Sequence, residues 1–197
     1  MNKKNISVLG GGSWGTVLAY LASLNGNYVS LWMRDKELVE TINQSRINQR
    51  YLPNLDLNSK IKATSDIKDI ENSDTVIFCI PSDAFREVSE LASSYIQESS
   101  YLISATKGVE KEGFSLMSQI LEEYYPANSI GVISGPNLAE EIAEGQLSGT
   151  VIASKDATLR DSVIKDLSND FFKVYENNDP YGVEMGGALK NIYAIAC

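Results

Sequence analysis

The sequence has no histidine and only two cysteines among its 197 residues. The lack of histidine excludes every mechanism in which an imidazole moves a proton, and it leaves lysine, tyrosine, carboxyl and thiol groups for that task. Cys79 and Cys197 fit neither a disulfide framework nor a zinc motif. We therefore expect a reducing compartment, with the cytoplasm as the default, and no structural metal.

Positive charge is also scarce, because 17 Lys and Arg residues oppose 26 Asp and Glu residues for a net charge of −9. A field of this sign repels nucleic-acid phosphates and anionic membrane surfaces, so we expect no nucleic-acid partner. The first apolar run, residues 6–9, is far too short for a signal peptide or a membrane span. An anionic small molecule would need a local cluster of donors and cations that opposes the overall charge.

Short apolar runs alternate with longer helical patterns, which predicts repeated strand–helix–strand units of an α/β fold. Unbroken apolar runs are typical of parallel strands that are buried on both faces. The predicted strands are residues 6–9, 28–32, 61–63, 75–80, 101–104, 130–133, 149–153 and 171–175.

Two helix boundaries can be read between these strands. Apolar residues recur at helical spacing over residues 14–22, and Gly26 follows where a C-cap glycine is expected. Asn137, with Glu140 three residues later, predicts the capped start of another helix.

The last helix is predicted to begin at Asp179, which is followed by Pro180 at the first helical position. The apolar pattern then runs to Cys197 without a stop signal. We therefore expect residues 1–178 to form one domain, residues 179–197 to begin a second one, and the chain to be the N-terminal piece of a longer protein.

Gly10, Gly12 and Gly15 form the pattern G-x-G-x-x-G directly after the first predicted strand. The first glycine permits a tight turn, the second lets a pyrophosphate approach the backbone, and the third lets helix and strand pack closely. N–H groups near Ser13 and Trp14 would then face the phosphates at the positive end of the helix dipole. The pattern predicts a dinucleotide site, and the alternative is a tight turn without a ligand.

The adenosine end of that site is less clearly defined. About 20 residues beyond the glycines, where a ribose-binding acid is expected, the sequence has Arg34 and then Asp35. Arg34 is suited to a 2′-phosphate, whereas Asp35 is also placed to cap the next helix. We expect NADP to be favoured over NAD, with use of both open, and a solvated loop charge is the alternative for Arg34.

Further candidates follow later strands, whose carboxyl ends meet at the ligand-binding edge of such a sheet. Lys107 comes just after residues 101–104, while Gly135 and Asn137 come just after residues 130–133. We expect both loops to face one crevice, with an exposed loop charge as the alternative for Lys107.

Lys190 lies in the last helix among small and apolar residues, one turn after Gly186 and Gly187. Two glycines within a helix cost about 1 kcal/mol each relative to alanine, which suggests that another group approaches the backbone there. A partly desolvated Lys190 would have a lowered pKa and could act as a general base. The alternative is close helix packing with a lysine that reaches out to solvent.

Seven stretches occur together, in one order, across the chain: VLGGGSWGT at 8–16, LW at 31–32, RYLP at 50–53, CIPS at 79–82, ATKG at 105–108, SGPNLA at 134–139 and GALKN at 187–191. In this combination the sequence resembles the NAD(P)-dependent glycerol-3-phosphate dehydrogenases. The resemblance implies a Rossmann-type, doubly wound, mostly parallel sheet, followed by an all-helical domain that begins near the final helix.

The resemblance also implies an activity and its residues. The reaction would interconvert sn-glycerol 3-phosphate and dihydroxyacetone phosphate by hydride transfer with NADP or NAD, feeding glycerophospholipid synthesis, and a homodimer of the full-length protein is compatible with it. Lys190 would accept the proton of the C2 hydroxyl. The other implied contacts are Ser13, Trp14, Lys107 and Ala139 with the cofactor, and Lys107, Gly135, Asn137 and Asn191 with the substrate.

Two departures from the family pattern have consequences. Asn137 stands where bacterial members often have Ser or Thr, which changes the hydrogen-bonding group. The helical domain, with its residues for the substrate phosphate, is missing, so we expect cofactor binding with little or no turnover. The alternatives are another lysine-dependent dehydrogenase, of the 6-phosphogluconate or ketopantoate type, and a dinucleotide-sensing module without chemistry.

Overall fold

The computed structural model describes the backbone of residues 3–196 and the side chains of residues 3–190. It contains ten strands within this part of the chain: β1 Asn5–Leu9, β2 Tyr28–Trp32, β3 Ile47–Asn48, β4 Leu52–Asp56, β5 Ile61–Thr64, β6 Thr75–Phe78, β7 Tyr101–Ser104, β8 Ile130–Ser134, β9 Ser148–Ala153 and β10 Phe172–Asn177. The α-helices are α1 Ser13–Leu24, α2 Lys36–Ser45, α3 Phe85–Ala92, α4 Met117–Tyr124, α5 Ala139–Ala143, α6 Ala157–Leu167 and α7 Pro180–Ala196.

Eight of the strands form one sheet in the order β10-β9-β8-β7-β6-β1-β2-β5. The chain first builds outward from β1 through β2 to β5, and then crosses to the other side of β1 to add β6, β7 and β8. The strand order therefore reverses at β1 and β6, which pair in parallel. In doubly wound sheets a ligand crevice opens outside the carboxyl ends of the strands at this point.

The far end of the sheet departs from a purely parallel arrangement. β8 and β9 are antiparallel, whereas β9 and β10 pair in parallel. The prediction of a mostly parallel, doubly wound α/β sheet is confirmed, and the antiparallel pair is an addition that periodicity did not reveal. No helix in the described part combines the length and apolar character that a membrane crossing requires.

Alternating side chains of the central strands fill two cores, one on each face of the sheet. Val8 of β1 and Ile77 of β6 belong to the core beneath α1 and α6, whereas Leu9 and Phe78 belong to the core beneath α3 and α4. Successive residues of a strand point to opposite faces, so an apolar run is required where both faces are covered. This explains why the runs in the sequence predict these strands well.

A two-stranded antiparallel sheet, β3 and β4, was not predicted. It lies between α2 and β5, and Arg50 and Tyr51 are in its connecting turn. The two strands contain only seven residues in total, 2 in β3 and 5 in β4. Pro53 and the exposed Asn54 interrupt the apolar pattern of β4, so no strand periodicity marks this hairpin.

The two predicted helix boundaries had different outcomes. Gly26 has a φ of +94° directly after the C-cap of α1, as expected for a C-terminal glycine. Asn137 does not cap α5, because that helix begins at Ala139 and Leu138 is its N-cap. The Asn137 amide instead donates a 2.8 Å hydrogen bond to the carbonyl of Gly149 in β9. The Asn137 side chain is therefore a donor to β9 instead of an acceptor for the N–H groups of α5.

The start of α7 agrees with the sequence, since Asp179 accepts a 2.9 Å hydrogen bond from the backbone N–H of Gly182. The helix packs on β8 and β9. A Cβ at Gly187 would collide with the hydroxyl of Ser134, so this glycine permits the close approach that was predicted. A Cβ at Gly186 would meet no atom of the described chain within 4 Å, so for Gly186 the close approach stays a prediction.

A buried carboxyl group, Glu184, fastens α7 to α4. It accepts a 3.1 Å hydrogen bond from the backbone N–H of Ser118, in the first turn of α4, and a second bond from the Ser118 hydroxyl. Burial raises the pKa of Glu184, with a smaller contribution from the negative charge of Glu122, while the bonds from Ser118 act in the opposite direction. Glu184 supplies the side-chain acceptor that Leu116, the N-cap of α4, lacks.

We expect this carboxyl group to make stability depend on pH. Its pKa is higher in the folded than in the unfolded chain, so the protonated form favours folding, and this contribution is complete below about pH 4.3, the ordinary glutamic acid value. It is lost as the pH rises through the folded-state pKa. Urea unfolding of wild type and Glu184→Gln across this range should show the wild type losing free energy of unfolding relative to the variant. Parallel pH profiles would contradict this assignment.

Candidate functional site

The glycine turn joins β1 to α1 at the point where the strand order reverses. Gly10 has a φ of +123°, and a Cβ there would collide with the carbonyl of Cys79, which follows β6. A Cβ at Gly15 would collide with the carbonyl of Gly10. Packing within the turn therefore requires both glycines.

Gly12 differs from these two glycines. A Cβ at Gly12 would meet no atom of the described chain within 4 Å, so its environment is open. It is the N-cap of α1 and supplies no side-chain cap. The first N–H groups of α1 have no carbonyl partner within the helix, and they lie at the positive end of its dipole. This arrangement fits a phosphate group of a dinucleotide.

The turn opens into a cleft with a volume of about 620 Å³. Five of its residues were predicted from the glycine pattern, and Arg34 was predicted for the adenosine end. The lining residues include Gly10, Gly12, Ser13, Trp14, Gly15, Trp32, Met33, Arg34, Asp35, Leu38, Arg50, Tyr51, Cys79, Ile80 and Pro81. Apolar side chains near one end, and backbone N–H groups near the other, suit a flat base attached to phosphates.

The unpredicted hairpin forms one wall of the cleft. Its residue Asn48 is fully buried and donates hydrogen bonds of 3.0 Å to the carbonyl of Gly11 and 2.9 Å to the hydroxyl of Thr16. The hydroxyl of Ser13 donates a 3.4 Å bond to the carbonyl of Tyr51. These contacts fix the hairpin to the glycine turn. The only signal in the sequence was the stretch at 50–53, which contributed to the family resemblance without an assigned role.

The side chains after β2 show how the adenosine end is arranged. Asp35 caps α2 by accepting a 3.0 Å bond from Leu38 N–H, and its second oxygen lies 2.8 Å from Nη1 of Arg50. The bond from Leu38, followed by those from Arg50, lowers the pKa of Asp35. Arg34 lies 2.9 Å from a carboxylate oxygen of Glu87 on α3. Asp35 is therefore a helix cap, which is one of the two roles that the sequence allowed.

A smaller cavity of about 310 Å³ continues from the cleft. Trp14, Cys79, Ile80 and Pro81 line both spaces. Lys107 and Asn137 line only the smaller cavity, so the two loops predicted to share one crevice do meet there.

Lys107 holds its loop to the neighbouring one by donating a 3.0 Å hydrogen bond from Nζ to the carbonyl of Gly135. Desolvation lowers the pKa of Lys107, and the positive charge of Lys190 lowers it further. The two ammonium groups are therefore close together. Two cations at one mouth form an attractive site for a doubly charged anion.

Lys190 lies on the same face of α7 as Gly187, three residues further on. Because Gly187 is packed against Ser134 at the end of β8, Lys190 projects past the carboxyl edge of the sheet. The side chain is exposed, whereas a partly desolvated amine was expected. Leu189 and Gly186 are exposed as well, so this part of α7 is open to solvent in the described chain.

The remaining predicted residues fall in different places. Asn137 uses its amide nitrogen for the Gly149 carbonyl, and its side chain is near Gly135. Ala139 packs against the core near α1 and is not among the residues that line either cavity. The side chain of Asn191 lies outside the residues described.

Cys79 lies where the two cavities meet. Desolvation by the surrounding protein raises the pKa of its thiol to about 12. The group is therefore protonated at neutral pH, and it does not serve as a thiolate nucleophile or base in the cleft.

Strand order, glycine turn and cleft together define a Rossmann-type domain of the dinucleotide-binding class. The sequence model of a family described as NAD-dependent glycerol-3-phosphate dehydrogenase N-terminus matches residues 5–160. The chain belongs to this family, which confirms the resemblance seen in the sequence. It also confirms, for the family, a dehydrogenase that uses NAD or NADP.

Individual relatives agree with this assignment. The chain is 49% identical over 195 residues to a protein of Alcanivorax borkumensis named glycerol-3-phosphate dehydrogenase [NAD(P)+], covering 98% of the chain and 57% of that relative. An Acinetobacter baylyi protein of the same name is 47% identical, with coverage of 97% and 54%. The crystal structure of glycerol-3-phosphate dehydrogenase from Coxiella burnetii superposes with a TM-score of 0.93 at 34% identity, covering 98% of the chain and 60% of that structure. The chain thus spans little more than half the length of these proteins.

Proposed function

We propose that this chain is the cofactor-binding part of an NAD(P)-dependent oxidoreductase that interconverts sn-glycerol 3-phosphate and dihydroxyacetone phosphate. One observation carries the proposal: a glycine turn opens at the reversal of strand order into a cleft that continues to Lys107 and near Lys190. The family and its relatives support the same reaction by their names.

Local charge supports an anionic substrate in spite of the net charge of −9. Arg34 and Arg50 line the cleft, Lys107 lines the smaller cavity that continues from it, and the charge of Lys190 acts on Lys107. This is the local cluster of cations that an acidic chain needs for binding phosphate esters. The product of such a reaction is a precursor of the glycerol backbone, in keeping with a role in glycerophospholipid synthesis.

The residues present would divide the work as follows. Gly12 and the N–H groups around Ser13 and Trp14 would hold the pyrophosphate of the cofactor, which when bound supplies a hydride acceptor or donor. Lys190 would take the proton from the C2 hydroxyl of glycerol 3-phosphate, and a cation beside that oxygen stabilises the negative charge that develops on it. Lys107, Gly135 and Asn137, with Asn191, would position the substrate.

We also propose that residues 1–178 are the cofactor domain and that residues 179–197 begin a helical substrate domain. The coverage of little more than half of each relative supports this division. We also propose a cytoplasmic location, which the scarcity of cysteine supports, and a homodimer of the full-length protein, with which the family resemblance is compatible.

The experiment is a binding titration combined with a turnover assay on this chain. We expect NADPH to bind, detected by its fluorescence, while reduction of dihydroxyacetone phosphate stays near background. Full-strength turnover by these 197 residues would refute the proposal that this chain binds the cofactor but needs a further domain for turnover. Lack of binding by either NADPH or NADH would refute the cofactor site itself.

A further inference from the structure

The hairpin turn brings a second guanidinium to the place where the ribose of a dinucleotide would lie. Nη1 of Arg50 is 2.8 Å from Oδ2 of Asp35, and Asp35 stands where an acid that binds the ribose 2′-hydroxyl is expected. Both residues line the cleft beside Arg34.

The hydrogen bonds of Asp35 occupy both of its oxygens. Oδ1 accepts from Leu38 N–H, and Oδ2 accepts from Arg50. Each oxygen keeps a second lone pair, but the ion pair with Arg50 offsets the charge of Asp35 and competes with a ribose hydroxyl for it, which makes Asp35 a weaker acceptor. Arg50, which is 15 positions away in the sequence, therefore weakens the acid that usually favours NAD over NADP.

The guanidinium of Arg50 can still reach a ligand. It has five N–H donors, of which the bond to Asp35 uses one at Nη1. Its side chain is 59% exposed, and the side chain of Arg34 is 54% exposed. Both guanidinium groups line the cleft, and Arg34 keeps N–H donors beyond its ion pair with Glu87, so the two forked cations match the three oxygens and double charge of a phosphate monoester.

We propose that Arg50 is a selectivity residue, which binds the 2′-phosphate of NADP together with Arg34 while it withholds Asp35 from the 2′-hydroxyl of NAD. This inference rests on the proposed cofactor site, and it adds the residue that chooses between the two cofactors. The preference for NADP over NAD would then depend on the β3–β4 hairpin, which lies outside the strand–helix–strand unit proposed to bind the pyrophosphate.

The test compares the dissociation constants of NADPH and NADH for the chain and its variants at low salt, where exposed charges are least screened. Arg50→Gln should weaken NADPH about tenfold, as expected for one charge-assisted hydrogen bond, and leave NADH unchanged or tighter because Asp35 is released. Asp35→Asn keeps a good N-cap but loses the charge, so it should strengthen NADPH relative to NADH. Adenosine 2′,5′-bisphosphate and ADP, as competitors, should reproduce both trends.

Lys68→Gln is the matched control, because it removes one positive charge from an exposed site outside the cleft. It should leave the ratio of the two dissociation constants unchanged. An equal loss of NADPH and NADH affinity in Arg50→Gln would overturn the inference and leave the cofactor site intact. If the wild type binds neither dinucleotide, the proposed function fails instead.

Discussion

Replacing Gly12 with Val should weaken dinucleotide binding about a hundredfold while the chain stays folded. No atom of the described chain lies within 4 Å of a Cβ at Gly12, so mainly a loss in helix capping, about 1 kcal/mol, is expected in the free energy of unfolding. The side chain would fill the space in which a pyrophosphate approaches the N–H groups of α1. Loss of two such charge-assisted bonds corresponds to about a hundredfold weaker NADPH binding.

The contrasting variant is Gly15→Val, since there the new side chain collides with the carbonyl of Gly10. Overpacking of this kind costs roughly 1–3 kcal/mol or more. Urea unfolding and NADPH titration of both variants separate the two roles. A folded Gly12→Val chain that binds NADPH as the wild type does would contradict the proposed pyrophosphate site.

Replacing Lys190 with Met should remove most of the turnover in an active protein that contains these residues. Methionine keeps much of the length of lysine but cannot accept a proton, and loss of a general base costs about 10²–10⁴ in kcat. Lys190→Arg keeps the charge but remains protonated, so it should also lose kcat. NADPH affinity should stay within about threefold in both variants, because neither change touches the pyrophosphate site.

The same substitution has a readout in the chain itself. Since the charge of Lys190 lowers the pKa of Lys107, Lys190→Met should raise that pKa, whereas Lys190→Arg should not. Titration of the lysine Nζ groups by NMR measures this directly. An unchanged Lys107 pKa in Lys190→Met would mean that the two amines are not neighbours, and unchanged turnover would mean that a group other than Lys190 takes the proton.

The eight-stranded sheet was predictable because burial on both faces imposes apolar residues on its strands. The strand ends could be predicted less well where a strand is no longer buried on both faces. β10, at the edge of the sheet, continues to the exposed Glu176 and Asn177, which no hydrophobic pattern marks. The run at 75–80 instead stops at Phe78, because Cys79 and Ile80 turn away to line the cleft.

The glycine turn was predictable because its requirements are local. Gly15 packs on the carbonyl of Gly10 five residues earlier, and the space at Gly12 is open to a ligand, so the spacing alone predicts these two positions. Gly10 also packs on the distant Cys79, but its positive φ is a requirement of the turn itself. The hairpin wall was not predictable in this way, because Asn48 acts through bonds to Gly11 and Thr16, more than 30 positions earlier in the chain. The exposure of Lys190 depends on where α7 leaves the sheet, which neither propensity nor motif specifies.

The protonated state of Cys79 has a consequence for the chemical robustness of the cleft. Hydrogen peroxide and alkylating reagents attack thiolates, and a thiol with a pKa of about 12 offers almost none at neutral pH. A sulfur atom where the two cavities meet can thus persist through oxidative stress without being capped or cross-linked. Desolvation of this one sulfur atom therefore protects the cleft from chemical modification of Cys79.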